Sequence, residues 1–309
     1  MSEPVDRAAA LLGHRARRDV PIGPLTTYRV GGPAALFMTV ASDDDLADLG
    51  AAVAASGVAV LVVGKGSNLL VADAGFDGLA VALGEAFEGI TIERTTVTAG
   101  AAAFLPVVAR RSAAAALTGF EWAVGVPGSI GGAVRMNAGG HGSDMAATLT
   151  RVRVADLENG DDGWMAASAL ALGYRSSSIA RAHVVIAAEL ALAVGDRERS
   201  EAEIAEIVRW RRENQPGGQN AGSVFTNPPG DSAGRLIDEA GCKGLRVGSA
   251  VVSDKHANFF IADPGGRADD VHTLMNVVRE RVHHARGVWL EPETRLVGFA
   301  ANPGVEVEG

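Results

Sequence analysis

The amino-acid sequence predicts an α+β fold divided into at least two packed units, and three observations carry that expectation. Short β-branched runs punctuated by glycine fill residues 25–195, and apolar stripes at helical spacing interrupt and follow them. At 309 residues the chain also exceeds what one hydrophobic core organises.

Taken in chain order, Ala35–Val40, Val58–Val63, Leu79–Leu83, Gly89–Thr98, Val152–Ala155 and Val184–Leu192 read as strands, since each suits a pleated, half-buried surface. A helix opens at Ser42, where Ser42 and Asp45 form a capping box and Leu46, Leu49 and Val53 share a face. A second runs from about Phe104 to Leu117 and stops at Gly119. Strand and helix do not alternate regularly, so the expected class is α+β rather than a parallel α/β sheet. At Ser200 the pattern changes: Ser200 and Glu203 suggest another capping box, with Ile204, Ile207, Val208 and Arg211 on one face. This places a boundary near Val194–Arg199. Beyond it lie a Gly/Pro/Asn loop from Gln215 to Pro229, a helical turn around Arg235–Ala240, and a helix from Asp269 to Ala285. The last helix carries Val271, Leu274, Met275, Val278 and Val282 as a core stripe.

Composition narrows the function. A net charge of −9 and a pI near 5.3 offer no basic field, so nucleic acid is not an expected partner. The single Cys242 excludes an internal disulfide and a multi-thiolate metal site, and fits a reducing compartment. Adjacent His283 and His284 lack the i,i+4 spacing of helical zinc ligands, and no metal is expected. The apolar run Ala8–Gly13 is too short for a signal peptide, and no stretch is long enough to span a bilayer. The expected setting is the cytoplasm.

The most distinctive local feature is Val60-Leu61-Val62-Val63-Gly64-Lys65-Gly66-Ser67-Asn68-Leu69-Leu70, a strand entering a tight turn whose backbone N–H groups suit a pyrophosphate. It is no Rossmann fingerprint, because the third glycine is missing and an apolar strand-like run follows. It is no P-loop either, since neither Ser nor Thr follows Lys65. A plain hairpin turn is the competing reading. The second stretch runs from Gly125 through Pro127, Gly128, Ser129, Gly131, Gly132, Asn137 and Gly139 to Gly142, too rich in glycine to be helical throughout. It forms either a structural corner around a buried Asn137 or a close backbone approach to a ligand. Together the two stretches point to one extended ligand bearing phosphate and a planar ring.

Gly64-Lys65-Gly66-Ser67-Asn68-Leu69-Leu70 followed by Gly125-Val126-Pro127-Gly128-Ser129-Ile130-Gly131-Gly132 closely resembles the UDP-N-acetylenolpyruvoylglucosamine reductase family. The resemblance extends in family order through Leu25-Thr26-Thr27-Tyr28-Arg29-Val30-Gly31-Gly32, Gly173-Tyr174-Arg175-Ser176-Ser177-Ser178 and Ala221-Gly222-Ser223-Val224-Phe225. Ala233-Gly234-Arg235-Leu236-Ile237, Lys255-His256-Ala257-Asn258-Phe259 and Leu290-Glu291-Pro292-Glu293 complete it, so that it covers about residues 25–299. The short stretch between Val194 and Arg211 is similar to the compact branch of the family.

This resemblance implies an FAD-binding region of the vanillyl-alcohol-oxidase type over residues 25–195, with subdomains of about 25–85 and 86–195. An N-terminal extension (1–24) precedes it and a C-terminal α+β substrate-binding domain (196–309) follows. It implies that Gly64, Lys65, Gly66, Ser67, Asn68 and Leu69, with Gly125, Pro127, Gly128, Ser129, Gly131, Gly132, Asn137 and Gly139, bind FAD. NADPH would reduce the flavin and leave. The enolpyruvyl ether of UDP-N-acetylglucosamine would then be reduced to UDP-N-acetylmuramate, for peptidoglycan synthesis, by a monomer. No second dinucleotide fingerprint is present, which agrees with a shared pocket.

The chemistry asks for a cation and a proton, because hydride addition to the vinyl carbon puts negative charge on the neighbouring carbon and its carboxylate. Arg175 suits the first task, being permanently charged and able to fork onto a carboxylate; losing such a group costs roughly 3–4 kcal/mol of transition-state stabilisation. Ser223 is the implied proton donor, acceptable as a weak acid beside a more basic, carbanion-like centre. Glu293 completes the group, with Glu291 as the near alternative. Tyr174, Arg211, Arg235, Lys243, Lys255 and Asn258 lie in matching segments and offer donors to the UDP moiety, although each charge among them also reads as a solvated surface group. Two departures from the family stand out: Thr226 where many relatives carry Lys, and Gly140-His141 where Ala-Tyr is common. Two other readings stay open, an FAD-dependent sugar or alcohol oxidase and a non-catalytic relative that binds FAD or a nucleotide sugar.

Overall fold

The computed structural model describes residues 2–299 and has the mixed architecture expected. Seven α-helices are present among these residues: α1 (Glu3–Leu12), α2 (Asp43–Ser56), α3 (Leu105–Ala114), α4 (Ile130–Met136), α5 (Arg197–Asn214), α6 (Ala233–Glu239) and α7 (Ala268–Arg286). Ser42 caps the helix as read, its Oγ accepting from Asp45 N–H at 3.1 Å, but the Asp45 carboxylate reaches one residue past the cap, to Ala41 N–H at 2.9 Å, rather than back to Ser42 N–H. A four-stranded sheet runs in the order Ala16–Pro21, Pro33–Val40, Phe76–Leu83, Val60–Val62, its last pair parallel.

The chain divides into two compact units. The first takes the chain up to Arg17, then Leu36–Lys65 and Gly78–Arg211. Its five-stranded antiparallel sheet has the order Asp162–Ala166, Leu149–Asp156, His183–Ala191, Thr96–Gly100, Ile90–Glu93. One core joins sheet residues Val97, Val152 and Leu190 to Leu105 and Val108 of α3, Ile130 of α4, and Ile204 and Ile207 of α5. Two local readings need correction. The run Gly89–Thr98 is a hairpin rather than one strand, turning at Arg94 with φ 56°. The helix expected to open at Ser200 starts at Arg197, where the Asp196 carboxylate accepts from Arg199 N–H at 2.8 Å. A carboxylate matches the positive helix end better than a hydroxyl, and the Ser200 hydroxyl instead donates to the buried Glu121 at 2.6 Å.

The second unit takes Arg18–Ala35, Gly66–Asp77 and the chain from Arg212 onward. It contains α6, α7, a three-stranded antiparallel sheet (Arg246–Val247, Ala250–Val252, Phe260–Ala262) and a parallel pair of Leu69–Val71 with Arg295–Val297. The stripe Val271, Leu274, Met275, Val278 and Val282 is fully buried, against Tyr28, Leu70, Phe225 and Phe260. No local residue caps α7. Asp73, 195 positions upstream, accepts from Ala268 N–H at 2.9 Å, and Asp269 answers by accepting from Asp73 N–H at 3.2 Å.

Candidate active site

In the first unit the strand Val60–Val62 leads into the loop at Gly64, which passes so close to the start of α4 that a Cβ there would lie 2.6 Å from Ser129 Oγ. Ser129 is the buried N-cap of α4, its hydroxyl facing Gly132 N–H at 3.5 Å. The two glycine-rich stretches therefore meet. Gly64, Lys65, Ser129, Gly131 and Gly132 line a cleft whose apolar wall is Val62, Leu83, Ile179 and Val185. Arg135 and His183 also line it, and the sequence reading missed both. The signal available for Arg135 was a cation one helical turn beyond glycines of the same segment; His183 had none, sitting at the start of a strand. Lys65 bonds Glu88 at 2.9 Å.

Farther along, a Cβ on Gly125 would touch the His141 ring at 3.0 Å, and that ring stands edge-on to Trp210 with centroids 5.2 Å apart. The Gly140-His141 departure thus fills space beside Gly125. Burial lowers the His141 pKa, and the nearby Arg211 charge lowers it further. Burial likewise lowers the pKa of Arg211 itself.

Arg175 sits at the tip of a tight turn closed by Gly173 N–H to Ser176 C=O at 3.0 Å, with a left-handed φ of 54°. Its guanidinium donates to Gly139 C=O at 3.0 Å and lies 5.2 Å from the Tyr174 ring, which is 62% exposed. Asn137 builds this corner. It closes α4 at φ 39°, donates to Gly173 C=O at 2.9 Å and accepts from Ala146 N–H at 3.0 Å. Its carboxamide is committed to the protein, as the structural-corner reading of that stretch anticipates.

Three extended segments of the second unit carry the other two residues. Ser223 bridges Phe259 on one side, and Phe225 bridges Pro292 on the other. Glu293 N–H donates to Val224 C=O at 2.8 Å, which holds the acid's backbone beside the residue that follows Ser223. Among the described residues the Ser223 hydroxyl has no hydrogen-bond partner. Glu291 is exposed, its carbonyl occupied by Thr226 N–H at 2.9 Å and by the Thr226 hydroxyl at 3.3 Å. Asn68, whose backbone lies in this unit, donates its side-chain N–H to Glu293 C=O at 2.9 Å.

Four of the residues implied for UDP already have partners elsewhere in the protein. Arg235 is ion-paired with Asp231 and Glu239, Lys243 lies 2.6 Å from Asp238, and Lys255 donates to Arg212 C=O at 2.7 Å. Asn258 is 3% exposed, and both polar ends of its carboxamide bond the Phe225 backbone.

Comparison with known proteins agrees with this geometry. A model described as an FAD binding domain matches residues 34–161, and the UDP-N-acetylenolpyruvoylglucosamine reductase C-terminal domain matches residues 214–297. The chain is 41% identical over 286 residues to the UDP-N-acetylenolpyruvoylglucosamine reductase of Rubrobacter xylanophilus, covering 92% of this chain and 95% of the relative. It is 42% identical over 307 residues to that of Acidiphilium cryptum, covering 97% and 98%. The crystal structure of the corresponding reductase from Thermus caldophilus superposes with a TM-score of 0.80 at 36% identity, covering 91% of this chain and 98% of that one. With such identity sustained over nearly the full length of both partners, the chain belongs to the UDP-N-acetylenolpyruvoylglucosamine reductase family.

Proposed function

We propose that the chain reduces the enolpyruvyl ether of UDP-N-acetylglucosamine enolpyruvate to UDP-N-acetylmuramate, using FAD and NADPH, as a step of peptidoglycan precursor synthesis in the cytoplasm, and that it does so as a monomer. The chemistry that bound FAD would supply is the relay of hydride from NADPH to the substrate. The residues of the first unit fit such a group: glycine backbone at Gly64, Gly131 and Gly132 for close approach to a diphosphate, an apolar wall for a ring, and the cation Arg135. We assign residues 25–195 to cofactor binding and 196–309 to substrate binding.

Arg175 holds the substrate carboxylate and stabilises the charge that develops there. Ser223 donates its hydroxyl proton to the carbon next to that carboxylate. Glu293 orients this exchange and restores the proton. Tyr174, Arg211, Arg235, Lys243, Lys255 and Asn258 remain the candidates for the UDP sugar; among them Arg235, Lys243, Lys255 and the buried Asn258 must exchange present partners to act. The observation that carries the reading is the Ser223 hydroxyl, without a protein partner among the described residues, on a segment locked by Val224 to the backbone of Glu293. The half-buried Ser223 hydroxyl is not tied up by the fold, which leaves it available to a ligand.

The experiment is anaerobic reduction of the purified yellow protein by NADPH, followed by addition of UDP-N-acetylglucosamine enolpyruvate while flavin absorbance is watched. Prompt reoxidation by the enolpyruvate is expected. Reoxidation by air alone identifies an oxidase instead, and a colourless protein a non-catalytic binder.

A further inference from the structure

Asn68 stands at the end of the glycine loop, where sequence chemistry and family resemblance alike assign it to the cofactor. Its side chain points elsewhere. The carboxamide N–H donates to the carbonyl of Glu293 at 2.9 Å, across 225 positions of sequence. The main-chain carbonyl of Asn68 accepts from Arg295 N–H at 3.0 Å, and Leu69–Val71 then runs parallel to Arg295–Val297. From the other direction Glu293 N–H is held by Val224 C=O at 2.8 Å. Both polar groups of the Glu293 main chain are therefore fixed, one by Val224, the residue after Ser223, and one by Asn68. These two bonds fix the Glu293 backbone, and with it the point from which the acid side chain departs.

We propose that Asn68 is a positioning residue for Glu293, fixing through the backbone where the acid side chain meets the UDP-sugar substrate. The proposal rests on the role given to Glu293 above. Asparagine suits the task because it carries a donor on a short, stiff arm. Aspartate has the same shape but only acceptors, so it would set a carboxylate against the Glu293 carbonyl. Serine keeps a donor that is too short to reach. Displacing a reacting group by about 1 Å costs on the order of 100-fold in rate.

The test compares wild type, Asn68→Asp, Asn68→Ser, Glu293→Gln and the double variant Asn68→Asp/Glu293→Gln in anaerobic stopped-flow, with rates normalised to bound flavin. Each half-reaction is followed across pH. In both Asn68 variants reoxidation by the enolpyruvate should slow about 10- to 100-fold relative to reduction by NADPH, with an altered pH profile for reoxidation alone. The double variant should be no slower than Glu293→Gln, because the two residues act in series. Equal slowing of both half-reactions, or multiplying effects in the double variant, would overturn the positioning role and return Asn68 to the cofactor. Wild-type reoxidation in Glu293→Gln would overturn the Glu293 assignment itself, and the inference with it.

Discussion

Asn258 grips the main chain of Phe225 at both ends, donating to its carbonyl at 2.8 Å and accepting from its N–H at 3.0 Å, two residues beyond Ser223. Together with Asn137 at Gly173 and Asn68 at Glu293, it gives each proposed catalytic residue an asparagine fastened to nearby backbone. Replacing Asn258 by Ala should destabilise the fold by about 1–3 kcal/mol for each Phe225 group left buried and unpaired. Urea unfolding measures this. A raised KM at unchanged stability would show that Asn258 serves the substrate instead.

Ser223→Ala should leave thermal stability unchanged, since the hydroxyl has no protein partner among the described residues. Flavin reduction by NADPH should proceed normally, while reoxidation by the enolpyruvate slows by about 100- to 10,000-fold. Equal damage to both steps in rapid-mixing experiments would remove Ser223 from the role of acid.

Arg175→Lys keeps the charge and loses the planar fork, so a drop in the second half-reaction of about 10- to 1,000-fold is expected. Near wild-type turnover with lysine would mean that charge alone suffices there.

Glu121 is buried, which by itself raises its pKa, yet hydrogen bonds from Ser200, Thr118 and the N–H groups of Glu121 and Gly119 outweigh burial and hold it below the ordinary glutamate value of 4.5. A carboxyl whose folded pKa is depressed stabilises the protein above its unfolded pKa, and that contribution is lost as pH falls through the folded value. The stability advantage of wild type over Glu121→Gln should therefore be largest near neutrality and shrink below about pH 4.5. Denaturant midpoints at pH 7 and in the acid range test the sign; a gap that widens on acidification contradicts it.

Asp73→Ala should unfasten the start of α7 and cost about 1–2 kcal/mol, the upper part of the usual range for a lost cap, because two N–H groups and Arg267 share that carboxylate. Asp73→Asn, which retains an acceptor, should cost less in the same urea titration.

Much of this was legible in the sequence for physical reasons. Helical periodicity located the buried face of α7 because 3.6-residue spacing is what one-sided burial imposes, and the density of glycine from Gly125 to Gly142 marked a place where backbone must come close. The parallel pairing of Leu69–Val71 with Arg295–Val297 left no local trace, since a short buried strand reads alike whatever its partner. Carboxamides were the least legible of all. Asn68, Asn137 and Asn258 carry donors equally fit for a phosphate or a carbonyl, and only geometry distinguishes a group facing a ligand from one bonded to its own chain. The ion pairs on Arg235 and Lys243 were hidden for the same reason.

The late partner of Leu69–Val71 bears on how the protein is made. A ribosome has to deliver Arg295–Val297 before that strand is paired, and Ala268 before Asp73 has a helix to cap. Until then Tyr28 and Leu70, both fully buried in the finished protein, emerge with nothing to cover them. Long-range closure of this kind is slow and leaves sticky intermediates. A stop codon placed shortly before Arg295 should therefore yield insoluble product rather than a soluble, inactive one.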